Sequence, residues 1–150
     1  MKNPIIVFAN QKGGVGKSTL CMSFANYITK EKNIQDVTVI DTDPQKTIIM
    51  KRKTDIDKYS KSYAPYKVMS FSLDDVDAVE NMMSTIKEVG NPFLFDTPGM
   101  MKLQGLLVLL AFCDYIICPT HFDNLSISAT SEFLIYIEKL RASMLKMNGR

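Results

Sequence analysis

Two lysines bracket three glycines in Ala9-Asn10-Gln11-Lys12-Gly13-Gly14-Val15-Gly16-Lys17-Ser18-Thr19. Ile5-Ile6-Val7-Phe8 precedes this stretch, and a helix-compatible segment, Thr19 to Lys30, follows it. Strand, glycine-rich turn and helix together lay out a phosphate-binding loop. A triphosphate is a dense anion, and backbone N–H groups surround it closely only where no Cβ intrudes, which Gly13, Gly14 and Gly16 allow. The helix N-terminus adds unpaired N–H groups and a positive dipole end. Lys17 can reach the β/γ-phosphates, and the Ser18 hydroxyl can ligate Mg²⁺. Two acidic motifs follow: Asp41-Thr42-Asp43-Pro44-Gln45 after Val37–Ile40, and Asp96-Thr97-Pro98-Gly99 after Phe93-Leu94-Phe95. Both place carboxylates at the carboxyl end of an apolar strand, where α/β sheets hold their ligands. In the second, Asp96 can hold Mg²⁺ through a water, and the Gly99 N–H can sense a γ-phosphate.

The loop departs from the plain G-x-x-x-x-G-K-[ST] form, because Gln11 stands at the first glycine and Lys12 lies ahead of the others. K-G-G-V-G-K-[ST] is the deviant phosphate loop of the ParA/MinD ATPases, and the sequence resembles that family from about Ile5 to Lys146. D-T-D-P-Q resembles its switch I and D-T-P-G its switch II. The resemblance implies a P-loop NTPase three-layer sandwich, with the Asp96 strand beside the phosphate-loop strand. It further implies bound ATP and Mg²⁺, with Gly13, Gly14, Val15, Gly16, Lys17, Ser18, Thr19 and Gly99 on the nucleotide. Ser18 and Asp96 would lie on the metal with Asp41 near it. Asp43 would position the attacking water, and Lys12 would reach across an ATP-dependent homodimer to the partner's phosphates. The use it implies is partition or maintenance of a plasmid, chromosome or mobile element, with non-specific DNA and a partition-type protein as partners. Family members normally continue into further strands and an adenine-contacting segment, whereas this chain stops at Arg150.

The elements that must position these groups are short. Ile5–Phe8 reads as a buried parallel strand, since it is apolar and lacks alternation. Leu20, Phe24, Tyr27 and Ile28 are expected to form the inner face of the following helix. Lys46 to Ser62 reads as a solvated helix whose basic cluster, Lys51-Arg52-Lys53, is the sharper candidate for a DNA contact. Tyr66–Phe71 is a candidate strand. Ser72 reads as the N-cap of a helix with Asp74 and Asp75 in its first turn and a core stripe of Val76, Val79, Met83 and Ile86. Gly90-Asn91-Pro92 ends it. Leu103–Phe112 is expected to be helical and Tyr115–Cys118 another buried strand. A last helix is expected to be capped by Asp123, Ser126 or Ser128 and to bury Phe133, Ile137, Leu140 and Met144, with Lys139, Arg141, Lys146 and Arg150 outside. His121, the lone histidine, falls in the loop before it and reads as an ordinary loop residue. Strands alternating with helices imply an α/β fold, with a mostly parallel sheet covered on both faces.

At 150 residues the chain reads as one P-loop domain spanning 1–150, large enough to bury a core. Net charge is only +2, so charge alone demands no polyanionic partner. Cys21, Cys113 and Cys118 form no C-x-x-C pair, which favours reduced thiols and a cytoplasmic setting. The first strand begins almost at the N-terminus, so no signal peptide is expected. The apolar run Leu103–Pro119 is broken by Gln104, Gly105 and Asp114, against a membrane span. Three rivals remain: a MinD-like positioning ATPase, a small-molecule kinase or ligase resembling dethiobiotin synthetase, and a nucleotide-binding scaffold that does not hydrolyse. A relative of the nitrogenase iron protein is disfavoured. Cys118 falls where one cluster ligand would, but Met100 and Met101 occupy the place of the other, and one thiolate per subunit cannot hold a shared cluster.

Overall fold

The computed structural model describes residues 4–60, 64–99 and 103–147. Ten elements alternate along the described residues. They are β1 (Ile5–Phe8), α1 (Lys17–Lys30), β2 (Thr38–Asp41), α2 (Thr47–Tyr59), β3 (Lys67–Ser70), α3 (Val76–Val89), β4 (Phe93–Asp96), α4 (Gln104–Phe112), β5 (Tyr115–Ile117) and α5 (Asn124–Met147). The strands form one sheet in the order β3-β2-β4-β1-β5, and every pairing is parallel. The Asp96 strand is thus the direct neighbour of the phosphate-loop strand, with Phe8 opposite Asp96 and Asp41 opposite Asp96 across the next ladder.

Two cores explain why β1 is apolar throughout. Ile5 and Val7 pack into the core built with α3, α4 and α5, where Val79, Met83, Leu106, Leu109, Leu110, Phe133 and Ile137 lie. Ile6 and Phe8 point the other way, to Cys21, Ala25 and Ile28 of α1 and Ile48 of α2. A strand buried on both faces has no polar side to alternate with. The result is a three-layer α/β sandwich.

Several local expectations shift. The inner face of α1 is Lys17, Cys21, Ala25 and Ile28, whereas Leu20 and Tyr27 are 40% and 47% exposed. The phosphate loop fixes the helix's rotation by turning Lys17 inward, and the small side chains of Cys21 and Ala25 let the helix sit close to the sheet. Asp75, not Ser72, caps α3: its Oδ1 accepts from the Ala78 N–H at 3.1 Å, while the Ser72 hydroxyl donates to Asp74 at 2.6 Å. Asp123 caps α5, its Oδ1 accepting from the Ser126 N–H at 2.9 Å. Of the expected stripe, Val79, Met83 and Ile86 are buried and Val76 is half-buried. β5 is not the buried strand expected, because it lies at the sheet edge and leaves Tyr115 exposed. Gly105 lets α4 press on α3, since a Cβ there would stand 2.9 Å from Val79 Cγ2 and closer still to the Leu73 carbonyl. In the basic cluster, Arg52 is a packing residue. It stacks 4.3 Å over the Tyr66 ring and donates to the Tyr66 carbonyl at 3.0 Å, while Lys51 pairs with Asp55 at 3.6 Å. Arg150, Met100 and Met101 lie outside the described residues. Among those described, no helix is long and apolar enough to cross a membrane.

Candidate functional site

The carboxyl ends of β1, β2 and β4 meet at one place, and the phosphate-loop residues close over it. Gly14 and Gly16 take φ of +76° and +89°, values that L side chains rarely adopt, and Gly16 forms the N-cap position of α1. No side chain caps that helix, and its first turn holds no acidic residue. Among the described residues, no turn or loop carbonyl accepts from the N–H groups of Gly14, Gly16, Lys17 or Ser18. A row of unpaired amides at a helix N-terminus is an anion site. Val15 anchors the loop by burying its side chain. Thr19 is exposed at the start of α1.

Lys17 is buried, and its Nζ donates to the Lys12 carbonyl at 3.3 Å. Burial pushes its ammonium below the usual lysine range, against the pull of Asp96 and Asp43. Those three charges therefore share one neighbourhood. Asp96 is fully buried, and neither carboxylate oxygen has a hydrogen-bond partner among the described residues. Burial drives its pKa up to about 7; the Ser18 hydroxyl and Lys17 favour the charged form, while Asp41 and Asp43 oppose it. The Ser18 hydroxyl stands close enough to favour ionisation yet outside hydrogen-bonding geometry. A buried carboxylate without a partner is costly unless something cationic completes it. Ser18 and Asp96 are one hydroxyl and one carboxylate on hard oxygen, the set that suits Mg²⁺ sharing its shell with phosphates and water. Among the described residues no group of three or more His, Cys, Asp or Glu forms a metal cage. The arrangement thus fits a cation that arrives with a phosphate ligand.

Asp41 is also buried, but its carboxylate is engaged by amides. Oδ2 accepts from Ile48 and Ile49 at 2.9 and 3.1 Å, and Oδ1 accepts from the Asp43 N–H at 3.2 Å. It caps α2, whose N-terminus is otherwise uncapped, and contributes charge rather than a bare oxygen to the site. Asp43 is half-buried and accepts from the Gln45 N–H at 2.9 Å. The turn closes at Lys46, a non-glycine residue at φ +50°. Gly99 lies against the phosphate loop, where a Cβ would stand 3.4 Å from the Gln11 carbonyl and 3.5 Å from the Gly13 nitrogen. Lys12 is half-buried, and its charge helps to favour the ionised form of Asp123 at the head of α5. Cys118 is half-buried, and burial pushes its thiol up to about 11, so it is held protonated in this environment.

Sequence reasoning missed the groups that brace the site. Asn10 is buried; its Nδ2 donates to the Pro119 carbonyl at 2.9 Å and to Thr130 Oγ1 at 2.7 Å, and its Oδ1 accepts from the Lys12 N–H at 3.1 Å. Gln11 Nε2 donates to the Ala129 carbonyl at 2.9 Å. His121 Nε2 lies 3.0 Å from the Gly14 carbonyl. The Thr42 hydroxyl donates to the Asp96 carbonyl at 2.7 Å, and the Thr97 hydroxyl to the Phe8 carbonyl at 2.9 Å. The one available signal was the repeated Asp-Thr at two strand ends. The contacts to α5 span more than a hundred residues and leave no local mark.

Fold and site together define a phosphate-loop nucleotide-binding domain of the α/β class. The chain belongs to the CobQ/CobB/MinD/ParA nucleotide-binding domain family, whose profile matches residues 6–125. An uncharacterized protein of Pseudomonas putida is 24% identical over 182 residues, covering 97% of this chain and 67% of its own. A plasmid partition protein of Borrelia burgdorferi superposes with a TM-score of 0.73 at 21% identity, covering 93% of this chain and 75% of that one. A second Borrelia burgdorferi structure, bound to AMPPNP, gives 0.74 at 18% identity over 98% of this chain and 82% of that one.

Proposed function

We propose that residues 1–150 act as one Mg²⁺-ATP-binding domain that hydrolyses ATP slowly as a dimerisation switch, in partition or maintenance of a plasmid, chromosome or mobile element. The observation that carries this reading is Asp96: two buried, partnerless carboxylate oxygens beside Lys17 and an open row of loop amides. Mg²⁺ held by Ser18 and Asp96 would supply positive charge next to the phosphates. The remaining work falls to the chain. The amides of Gly13 through Thr19 bind the phosphates, and Lys17 neutralises them from within the fold. The Gly99 N–H, pressed against the loop, reports whether a γ-phosphate is present. Asp43, half-buried next to Lys17, orients water toward that phosphate. Lys12, ahead of the loop glycines, serves a facing subunit, where a cation supplied in trans meets the charge that spreads in the transition state. Non-specific DNA and a partition-type protein are the partners this reading brings.

Calorimetry with Mg²⁺-ATP, paired with a phosphate-release assay, tests it. Wild type should bind and turn over slowly. Lys17→Ala should show no uptake, and Asp43→Ala should bind ATP but release phosphate at least tenfold more slowly. No uptake by wild type would end the proposal. Salt-titrated DNA binding with ATP and with ADP tests the partition arm, because phosphate contacts make such affinity fall steeply with salt.

A further inference from the structure

We infer that His121 is a positioning residue for the phosphate loop, holding the Gly14–Val15 peptide so that the Val15 N–H faces the bound phosphates. The inference rests on the nucleotide-binding reading above and adds to it a residue outside all three motifs.

A carbonyl oxygen can only accept, so the Nε2 that meets Gly14 O at 3.0 Å must carry the hydrogen. Gly14 sits at φ +76°, a conformation with little intrinsic preference to hold it in place. Every described peptide is trans, and in a trans peptide the carbonyl and the next N–H point in opposite directions. Turning the Gly14 carbonyl to His121 therefore turns the Val15 N–H the opposite way, away from His121. The segment is further held by the buried Val15 side chain, with Gly16 left-handed beyond it.

The imidazole is itself well placed to act as a strut. The two residues before it are held in place: Asn10 holds the Pro119 carbonyl, and Thr120 Oγ1 is hydrogen-bonded at 2.9 Å to Thr130 Oγ1, which also accepts from Asn10. Asp123, two residues on, caps α5 and feels Lys12. The segment 119–130 thus forms an outer wall to the phosphate loop, and His121 is its contact with the Gly14–Val15 peptide. An exposed hydrogen bond of this kind is worth a few-fold in affinity, about 3- to 10-fold at most.

The test uses the full chain and titrates Mg²⁺-ATP and Mg²⁺-ADP by calorimetry into wild type, His121→Ala, His121→Asn and His121→Gln. Alanine removes the donor and asparagine is too short to reach, so both should weaken binding about 3- to 10-fold. Glutamine carries an N–H at a similar reach and should restore at least half of the lost affinity. The loss should be equal for ATP and ADP, because loop amides cradle the α/β-phosphates that both share. Unfolding midpoints without nucleotide should match wild type, since His121 is exposed. Wild-type affinity in the alanine and asparagine variants, failure of glutamine to rescue, or a deficit confined to ATP would each overturn the inference. Absence of nucleotide uptake by wild type would instead refute the reading on which it rests.

Discussion

Replacing Asp96 with asparagine should make the nucleotide-free protein more stable while abolishing its response to Mg²⁺-ATP. The carboxyl titrates near 7 in the folded chain against 3.8 as the unperturbed value, because burial leaves the anion without a partner. Between those two values the folded state holds a proton that the unfolded state has lost, so wild-type stability falls as pH rises through this window. Once both states are ionised the cost approaches about 4 kcal/mol. Water penetration and relaxation around Lys17 reduce it, and about 2 kcal/mol is a conservative figure. In a chain of this size that corresponds to a rise of about 4–8 °C in Tm for Asp96→Asn at pH 8. The advantage should shrink steadily toward pH 4, where wild-type Asp96 is neutral in the folded protein. Any penalty for burying the amide is the same at every pH, so the slope isolates the charge. Thermal unfolding by circular dichroism in EDTA at pH 4.5, 6 and 8 measures it, and repeating pH 8 with Mg²⁺-ATP should raise the wild-type Tm but not the variant's. A difference that stays constant from pH 4.5 to 8 would show that Asp96 does not bear an uncompensated buried charge.

Other consequences are quicker to state. Lys12→Ala should bind ATP with near wild-type affinity but lose ATPase activity by about 10³-fold at concentrations where dimers form; unchanged turnover there would remove its role in trans. Gly105→Ala should cost about 2–3 kcal/mol in urea unfolding, because the new Cβ meets the Leu73 carbonyl and Val79 Cγ2, which cannot both retreat; an unchanged midpoint would show that α4 is free to shift.

The parts of this molecule written in short motifs were readable, and the parts made by packing were not. Ile5–Phe8 matches its strand residue for residue, and α3's core stripe is where its periodicity places it. Lys17, Ser18, Asp43, Asp96 and Gly99 are brought to one place because each motif sits at the end of a strand or the start of a helix, which a parallel sheet gathers on one edge. The face of α1 was misread because helical spacing alone favours the large residues Leu20 and Tyr27, while the loop dictates the rotation and selects the small ones. Asp41's amide partners were hidden because the α2 boundary, and so the identity of the N–H groups at its start, depends on how the Pro44 turn closes. Arg52 was counted with the surface cations, since nothing in Lys51-Arg52-Lys53 shows that an aromatic ring will lie beneath its middle member.

The two threonine hydroxyls at the strand ends fix where any nucleotide-driven movement can begin. Thr42 ties β2 to the Asp96 carbonyl and Thr97 ties β4 to the Phe8 carbonyl, so the tip of the central strand is riveted on both sides. Displacing Asp96 would mean shearing both rivets inside the protein, with no water at hand to replace them. In the switch proposed above, the Asp96 carboxylate would then serve as a fixed anvil, and any movement on this side of the site would begin beyond Thr97.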